Sequence, residues 1–284
     1  KIFKSPIYSK PMFKKYLIVA SKKNPAATNI TTSLSQFKSN QLLPSMSDKP
    51  FFDFYLTEEE VLYNENLDME KINKYDCIIF PCTHKSEKGV KSLSIHAPGN
   101  WRSAEYGGEE GKVCPSSALF MKQMFEFLQH NVVQYQLENY ELTMEATHHG
   151  PKINKPCVFI EIGSSEKEWA DRRAGFVIAK TIADTIINFE ENPYREIAIG
   201  IGGPHYCPNF NKLQFNSNVA ISHVIPGYAS PISEEMIKEA LNKTFEEVDF
   251  AILDWKGIAG EEERKRIISI LEKNYIPWKK ASDI

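Results

Sequence analysis

Cys157-Val-Phe-Ile-Glu-Ile-Gly163 is the stretch whose reading decides the fold. Val158, Ile160 and Ile162 take one face of a strand, and Phe159 and Glu161 take the other. Ser165-Glu-Lys-Glu168 follows at once in the Ser-x-x-Glu pattern of a capping box. Phe176, Ala179, Ala183 and Ile186 then recur on one helical face. The same succession appears elsewhere in the chain. Tyr16–Ala20 precedes a helix over 28–37 with Asn24 or Thr28 as its cap, Glu196–Gly203 runs into glycines, and Phe250–Leu253 precedes a charged helix over 260–274. Strands alternating with helices at least four times predict an α/β fold with a mostly parallel sheet covered by helices on both faces. Further strands are expected at 51–56, 77–80, 92–96, 141–147, 218–224 and 275–280. Pro115 opens a helix whose stripe of Phe120, Met124, Phe127 and Leu128 is core, and Pro231-Ile-Ser233 opens another.

A chain of 284 residues suits one large α/β unit or two lobes. Residues 1–13 hold two Pro and three Lys without apolar periodicity and read as an extended arm, leaving 14–284 as the α/β domain. Lys14, Lys15, Lys22 and Lys23 make this the most basic region, either a solvated tail or an RNA-contacting arm. The net charge of −3 excludes a protein that coats nucleic acid by charge alone. No apolar run approaches the ~20 residues needed to span a bilayer, so no membrane partner is expected. Five Cys without CxxC spacing argue against a disulfide framework and for a reducing, cytoplasmic compartment.

The chemistry-bearing residues gather at the expected strand ends. Thr143-Met-Glu-Ala-Thr-His-His-Gly-Pro151 packs a carboxylate, two hydroxyls and two imidazoles before a Gly-Pro stop. As a strand, it lines Glu141, Thr143, Glu145, Thr147 and His149 on one side and Leu142, Met144 and Ala146 on the other, with His148 at its end. That ladder is either the rim of a site or an amphipathic edge whose His are surface residues. His84 sits at the C-terminal end of a strand, where open α/β sheets bind ligands; His84-Lys-Ser-Glu87 also has HxxE spacing. His96 ends the 92–96 strand. His205 and Tyr206 follow Gly202-Gly203, a turn that permits close approach of a ligand to the backbone and leaves amides available. Asp254 and Lys256 follow the 250–253 strand. Five of the seven His (84, 96, 148, 149, 205) thus lie at strand ends or just beyond them, whereas His223 shares a face with Val219 and Ile221 as a core residue. Glu161 inside so apolar a strand needs a cation, a proton or a metal. Imidazoles with one or two carboxylates are the donor set of a catalytic zinc site.

Read together, Thr143–Pro151, Phe159-Ile-Glu-Ile-Gly-Ser-Ser165 with Trp169, Gly200-Ile-Gly-Gly-x-His-Tyr206 with Pro208, His96 before Gly99-Asn-Trp101, Gly227-Tyr228 and Asp254-x-Lys256-Gly257 resemble the archaeal and plant type of D-aminoacyl-tRNA deacylase. The resemblance runs from about Tyr16 to the C-terminus. It departs at Pro204, where that family carries a further Gly, which removes one backbone N–H from the turn. The resemblance implies hydrolysis of the ester joining a D-amino acid to the acceptor end of tRNA, zinc (Zn2+) as cofactor, and a three-layer α/β/α fold similar to peptidyl-tRNA hydrolase and phosphorylase-hydrolase-like folds. Within that activity the residues divide as follows. His96, His148, His205 and Glu161 are the expected metal ligands. Glu145 is the expected general base, with His149 and Lys256 beside it as catalytic groups. His84, Trp101, Gly202, Gly203, Tyr206 and Asp254 are expected to contact substrate, Trp101 or Tyr206 by stacking on the terminal adenine. Alternatives are a peptidyl-tRNA or peptide hydrolase of the same fold, and a non-catalytic RNA-binding protein. A monomer is expected.

Overall fold

The computed structural model describes residues 13–39, 51–86, 89–190 and 195–284. The expected arm therefore lies outside the described residues except for Phe13, and so does Glu87 of the HxxE pattern. Phe13 belongs to the core: it is buried, stacked on Phe189 at 5.6 Å and edge-on to Tyr16 at 6.3 Å.

In chain order the elements are β1 (Lys15–Ser21), α1 (Pro25–Ser39), β2 (Phe51–Thr57), α2 (Met69–Ile72), β3 (Cys77–Lys85), β4 (Ser92–His96), α3 (Ala118–Gln134), β5 (Glu141–Met144), β6 (Cys157–Ser164), α4 (Glu166–Trp169), α5 (Arg172–Asn188), β7 (Glu196–Ile201), α6 (Pro208–Asn216), β8 (Val219–Ile225), α7 (Glu234–Lys243), β9 (Phe250–Leu253), α8 (Gly260–Lys273) and β10 (Trp278–Lys280). Local chemistry sets the helix starts. Asn24 Oδ1 accepts from Ala27 N–H with Pro25 in the first turn, so α1 begins before the expected Thr28. Ser117, rather than Pro115, caps α3 by accepting from Phe120 N–H, and the Glu246 carboxylate takes the Ala118 amide. Phe125 fills the buried stripe of α3 where Phe127 was expected. The capping-box helix is also divided. Ser165 donates to Glu168 but α4 stops at Trp169, and α5 starts afresh because the Asp171 carboxylate accepts from Arg173 and Ala174 N–H.

The strands form two sheets rather than one. The first has order β2-β1-β3-β6-β4-β5, with β4 antiparallel to β6 and the other neighbours parallel. The second, β10-β9-β7-β8, is wholly parallel. One buried cluster joins the inner faces of both sheets (Ile18, Ile160, Ile221, Ile252) to α1, α3 and α5 (Ile30, Met124, Ile178). On its outer face the second sheet packs Ile201 and Leu253 against Ile237 of α7 and Ile267 of α8. The outer face of the first sheet packs Leu17, Phe80 and Phe159 with Leu67 and Ile72.

β5 is the edge strand of the first sheet, and a side chain rather than a strand of the second sheet meets it. Asn211 Oδ1 of α6 accepts the Met144 N–H at 2.6 Å, and the strand ends there, three residues short of the expected Thr147. The backbone then crosses between sheets. Glu145 N–H donates to Ile95 O, Ala146 N–H to His205 O and Thr147 N–H to Val224 O. Thus Glu145–His149 bridges the two sheets instead of continuing one of them. Among the described residues no helix is long and apolar enough to cross a membrane.

Candidate active site

Strand register assembles the first half of the site. His84 pairs with Gly163 and Cys82 with Glu161 across β3–β6, while Ser94 pairs with Glu161 and His96 with Phe159 across β6–β4. Paired residues share a face, so His84, His96, Phe159 and Glu161 all project the same way. Gly163 makes room for this: a Cβ there would lie 2.4 Å from Ser92 Oγ and 2.8 Å from His84 Cδ2. The bridging segment supplies the second half, bringing Glu145, His148 and His149 against the strand residues. His149 adopts φ +48°, in the left-handed region, which turns its ring away from the alternation a strand would impose. Glu145 consequently meets His148, at 3.5 Å, while His149 lies 3.8 Å from Glu161. The expected shared face of Glu145 and His149 is not formed.

Two buried carboxylates lie among five imidazoles. Glu145 Oε2 is 3.0 Å from His205 Nε2, and Glu145 Oε1 is 3.1 Å from His84 Nδ1, where alignment leaves that oxygen without a hydrogen bond. Glu161 faces His84 at 3.5 Å and His96 at 3.7 Å. The His148 ring centroid lies 4.2 Å from that of His96, 4.3 Å from His149 and 4.6 Å from His205. His148 and His205 are partly exposed, so the cluster opens on their side.

The backbone sets the tautomers of three rings. A carbonyl only accepts, so Nδ1–H donates from His96 to Ala97 O at 3.2 Å, from His148 to Ala146 O at 2.8 Å and from His149 to Gly150 O at 2.7 Å. In the neutral ring each Nε2 then carries the lone pair, and a backbone acceptor behind the ring is the usual support of a metal-binding imidazole. His96 Nε2 is buried without a hydrogen-bond partner. One ligand atom each from His96, His148 and His149 lie within 4.8 Å of one another, and the same holds for His84, Glu145 and His205, and for His96, Glu145 and Glu161. This donor set fits zinc.

Electrostatics agree with a site that holds cations. Burial alone would raise both carboxylates, but the surrounding imidazoles more than offset it: His205 holds Glu145 below the ordinary range, and His149, His84 and His96 hold Glu161 well below it. His148 is driven well below its usual value by burial and by the neighbouring His96, His149 and His205. Burial likewise lowers His149. At His84 burial pulls downward, yet Glu161 and Glu145 push the ring up to about 10.

Other expected residues lie outside this cluster. Trp101 is 6% exposed, packed in the core of the second sheet with its indole N–H on Val224 O at 3.0 Å, so it offers no stacking face. The amides of Gly202 and Gly203 are already spent on Ile225 O and Gly257 O, and Pro204 has none, so these three positions offer no amide to an anion. The glycines serve packing instead. Gly203 has φ +83°, and a Cβ there would sit 2.8 Å from Asp254 Oδ2. Asp254 is buried and accepts from Asn209 and from Gly257 N–H, holding its own turn. Lys256 is exposed on that turn. Tyr206 is tied in by its hydroxyl, 2.8 Å from His84 Nε2. Sequence reasoning assigned no role to Tyr228, whose hydroxyl lies 3.3 Å from His205 Nδ1, or to Asn211, which holds Thr143 and Tyr206 O. The Gly227-Tyr228 pair just after a strand was the visible signal for Tyr228.

A mixed α/β scaffold that gathers imidazoles and carboxylates into one opening between two sheets defines a hydrolase-type α/β enzyme. Residues 71–279 match the D-aminoacyl-tRNA deacylase family, and the chain belongs to it. A D-aminoacyl-tRNA deacylase of Methanocaldococcus jannaschii is 34% identical over 275 residues, covering 94% of this chain and 100% of the relative. One from Pyrococcus furiosus is 40% identical over 213 residues, covering 72% and 75%. Among solved structures, a conserved protein of unknown function superposes with a TM-score of 0.83 at 27% identity, covering 95% of this chain and 96% of that one.

Proposed function

We propose that this chain hydrolyses the ester of D-aminoacyl-tRNA through a zinc-activated water, releasing free D-amino acid and tRNA. One observation carries the zinc: three imidazoles whose Nδ1–H groups are all committed to backbone carbonyls, which turns the Nε2 lone pairs of His96, His148 and His149 into one pocket. Those three residues, with Glu161, would hold the ion, and His205 with Glu145 and His84 forms a second donor group beside them. Zinc bound there supplies a water of lowered pKa, ~7, and polarises the ester carbonyl. The chain's own groups do the rest. Glu145, held ionised by His205, accepts the proton of the attacking water. His205 orients one of its oxygens by a hydrogen bond while His84 lies 3.1 Å from the other, leaving it open to a water, and Tyr206 and Tyr228 hold those rings from outside. Lys256, on an exposed turn, is not needed for the oxyanion in this scheme. The ribose hydroxyl is a better leaving group than an amide nitrogen and asks for little acid assistance.

The reading extends to an enzyme that works as a cytoplasmic monomer on the acceptor end of tRNA. Kinship of fold with peptidyl-tRNA hydrolase belongs to the same reading, and it makes peptidyl-tRNA the informative competing substrate. The test presents purified protein with D-aminoacyl-, L-aminoacyl- and peptidyl-tRNA, before and after metal stripping and zinc add-back. Release of D-amino acid that is lost on stripping and restored by zinc is the expected result. Full activity in metal-free protein removes zinc from the scheme, and preferred cleavage of peptidyl-tRNA replaces the substrate.

A further inference from the structure

Beside the catalytic cluster lies a cleft of ≈ 370 Å³ lined by Leu62, Tyr63, Met69, Pro151, Lys152 and Asn154, with Asn64, Glu65 and Glu109 also on its wall. That volume lies within the ~300–1,000 Å³ of small-ligand sites. We propose that this cleft receives the unpaired terminal nucleobase of the tRNA acceptor end, stacked on Tyr63; the proposal rests on the reaction assigned above.

The cleft is joined to the cluster through three interlocked turns. A Cβ on Gly150 would lie 2.4 Å from Leu62 O and 2.5 Å from Gly107 C and Gly108 N, and a Cβ on Gly107 would lie 1.9 Å from Leu62 O. Gly150 N–H also donates to Tyr106 O at 3.0 Å. The turn after His149 is therefore locked against the segments carrying Tyr63 and Tyr106. Pro151, in the cleft wall, is two residues beyond His149, at most about 7 Å along the backbone. One wall of the cleft thus stands within two residues of the histidine cluster.

The lining selects a neutral planar group. Tyr63 is 54% exposed and Tyr106 61%, large aromatic surface left to solvent where the cluster residues themselves are largely buried. Leu62 and Met69 add apolar lining to the cleft. Asn64 Oδ1 accepts from Asn66 N–H at 3.0 Å, so its amide NH2 is the part presented to a base acceptor, and Asn154 adds a second amide. Glu65 and Glu109 on the same wall disfavour a free carboxylate, and the one lysine of the lining, Lys152, has its Nζ turned onto Val113 O at 3.4 Å. Unpaired bases are recognised in this manner, by stacking on an aromatic ring with hydrogen bonds to their edges. Trp101 cannot serve, being buried with its indole N–H on Val224 O, and the Tyr206 hydroxyl is engaged by His84.

The test compares Tyr63→Ala and Tyr63→Phe with Tyr275→Ala, a substitution at a fully solvated ring (92% exposed). Tyr63→Ala is expected to raise KM for D-aminoacyl-tRNA roughly 10-fold with kcat unchanged, as loss of one stacked base does. Tyr63→Phe keeps KM within about two-fold, and Tyr275→Ala leaves both constants alone. Hydrolysis of a nucleotide-free D-amino acid methyl ester stays unaffected in all three. A trinucleotide CCA titrated onto wild type in a calorimeter should bind, and Tyr63→Ala should lose that binding. Unchanged KM in Tyr63→Ala, with wild type active, overturns the cleft alone. An inactive wild type that still binds CCA at Tyr63 overturns the reaction and keeps the cleft.

Discussion

His96 and His223 are both wholly buried on strands, β4 in the first sheet and β8 in the second. They differ in what becomes of the second ring nitrogen. His223 donates Nε2–H to Lys243 O and accepts at Nδ1 from the Thr147 hydroxyl, both at 3.3 Å, and Thr147 accepts in turn from Val224 N–H. Every polar atom of that imidazole is used by the protein. His96 donates Nδ1–H to Ala97 O and leaves Nε2 without a hydrogen bond, facing Glu161 across 3.7 Å. Burial and the presence of His are common to both places. What sets His96 apart is a ring nitrogen that folding leaves unsatisfied among other imidazoles and a carboxylate, costly to bury unless something else arrives to meet it.

Exchanging residues between the two places gives the largest effect. His96→Ala should lower kcat by at least ~100-fold in protein that is still folded at the assay temperature, as loss of a metal-binding group does; His223→Gln should leave kcat within a few-fold. Steady-state kinetics with a melting curve decides it, and an active His96→Ala would break the contrast. Next comes Glu145→Gln, which keeps the hydrogen-bonding shape but not the base. A fall of ~10²–10⁴-fold in kcat with tRNA binding intact is expected, and an unchanged kcat rules Glu145 out.

A smaller effect concerns pH. Burial depresses His223 to about 4, against ~6.5 in the unfolded chain. The unfolded state therefore takes up a proton first. The contribution of neutral His223 is complete above ~6.5 and is lost as pH falls through about 4, by ~3 kcal/mol in all. Denaturant unfolding at pH 7 and pH 4.5 should show a smaller loss in His223→Gln than in wild type; parallel losses would contradict it. The smallest effect is at Trp101. Trp101→Phe should cost ~1 kcal/mol, from the lost hydrogen bond to Val224 O, and leave KM for tRNA unaltered. A KM rise there would return Trp101 to the substrate.

Much of this was legible along the chain. The alternation in Cys157–Gly163 put Phe159 and Glu161 on one face, which is where they lie, because a paired strand keeps period two. The clustering of imidazoles at strand ends likewise brought His84, His96, His148, His149 and His205 together. The same alternation misled in Glu141–His149, since Asn211 stops the strand at Met144 and His149 turns left-handed. Gly202-Gly203 looked open to a ligand, but carbonyls from Ile225 and Gly257, far away in sequence, occupy the amides. Trp101 carries no local mark that tells a buried ring from an exposed one.

By itself the sequence determined the α/β class, the faces of the paired strands and the inventory of donors, because these follow from backbone periodicity and side-chain type, which are local. Only the tertiary structure decided that the strands part into two sheets, that Glu145–His149 spans the gap, and which nitrogen of each ring is left unspent. Those outcomes depend on hydrogen-bond partners many residues distant, and no local pattern encodes whether a donor will meet an acceptor from another element.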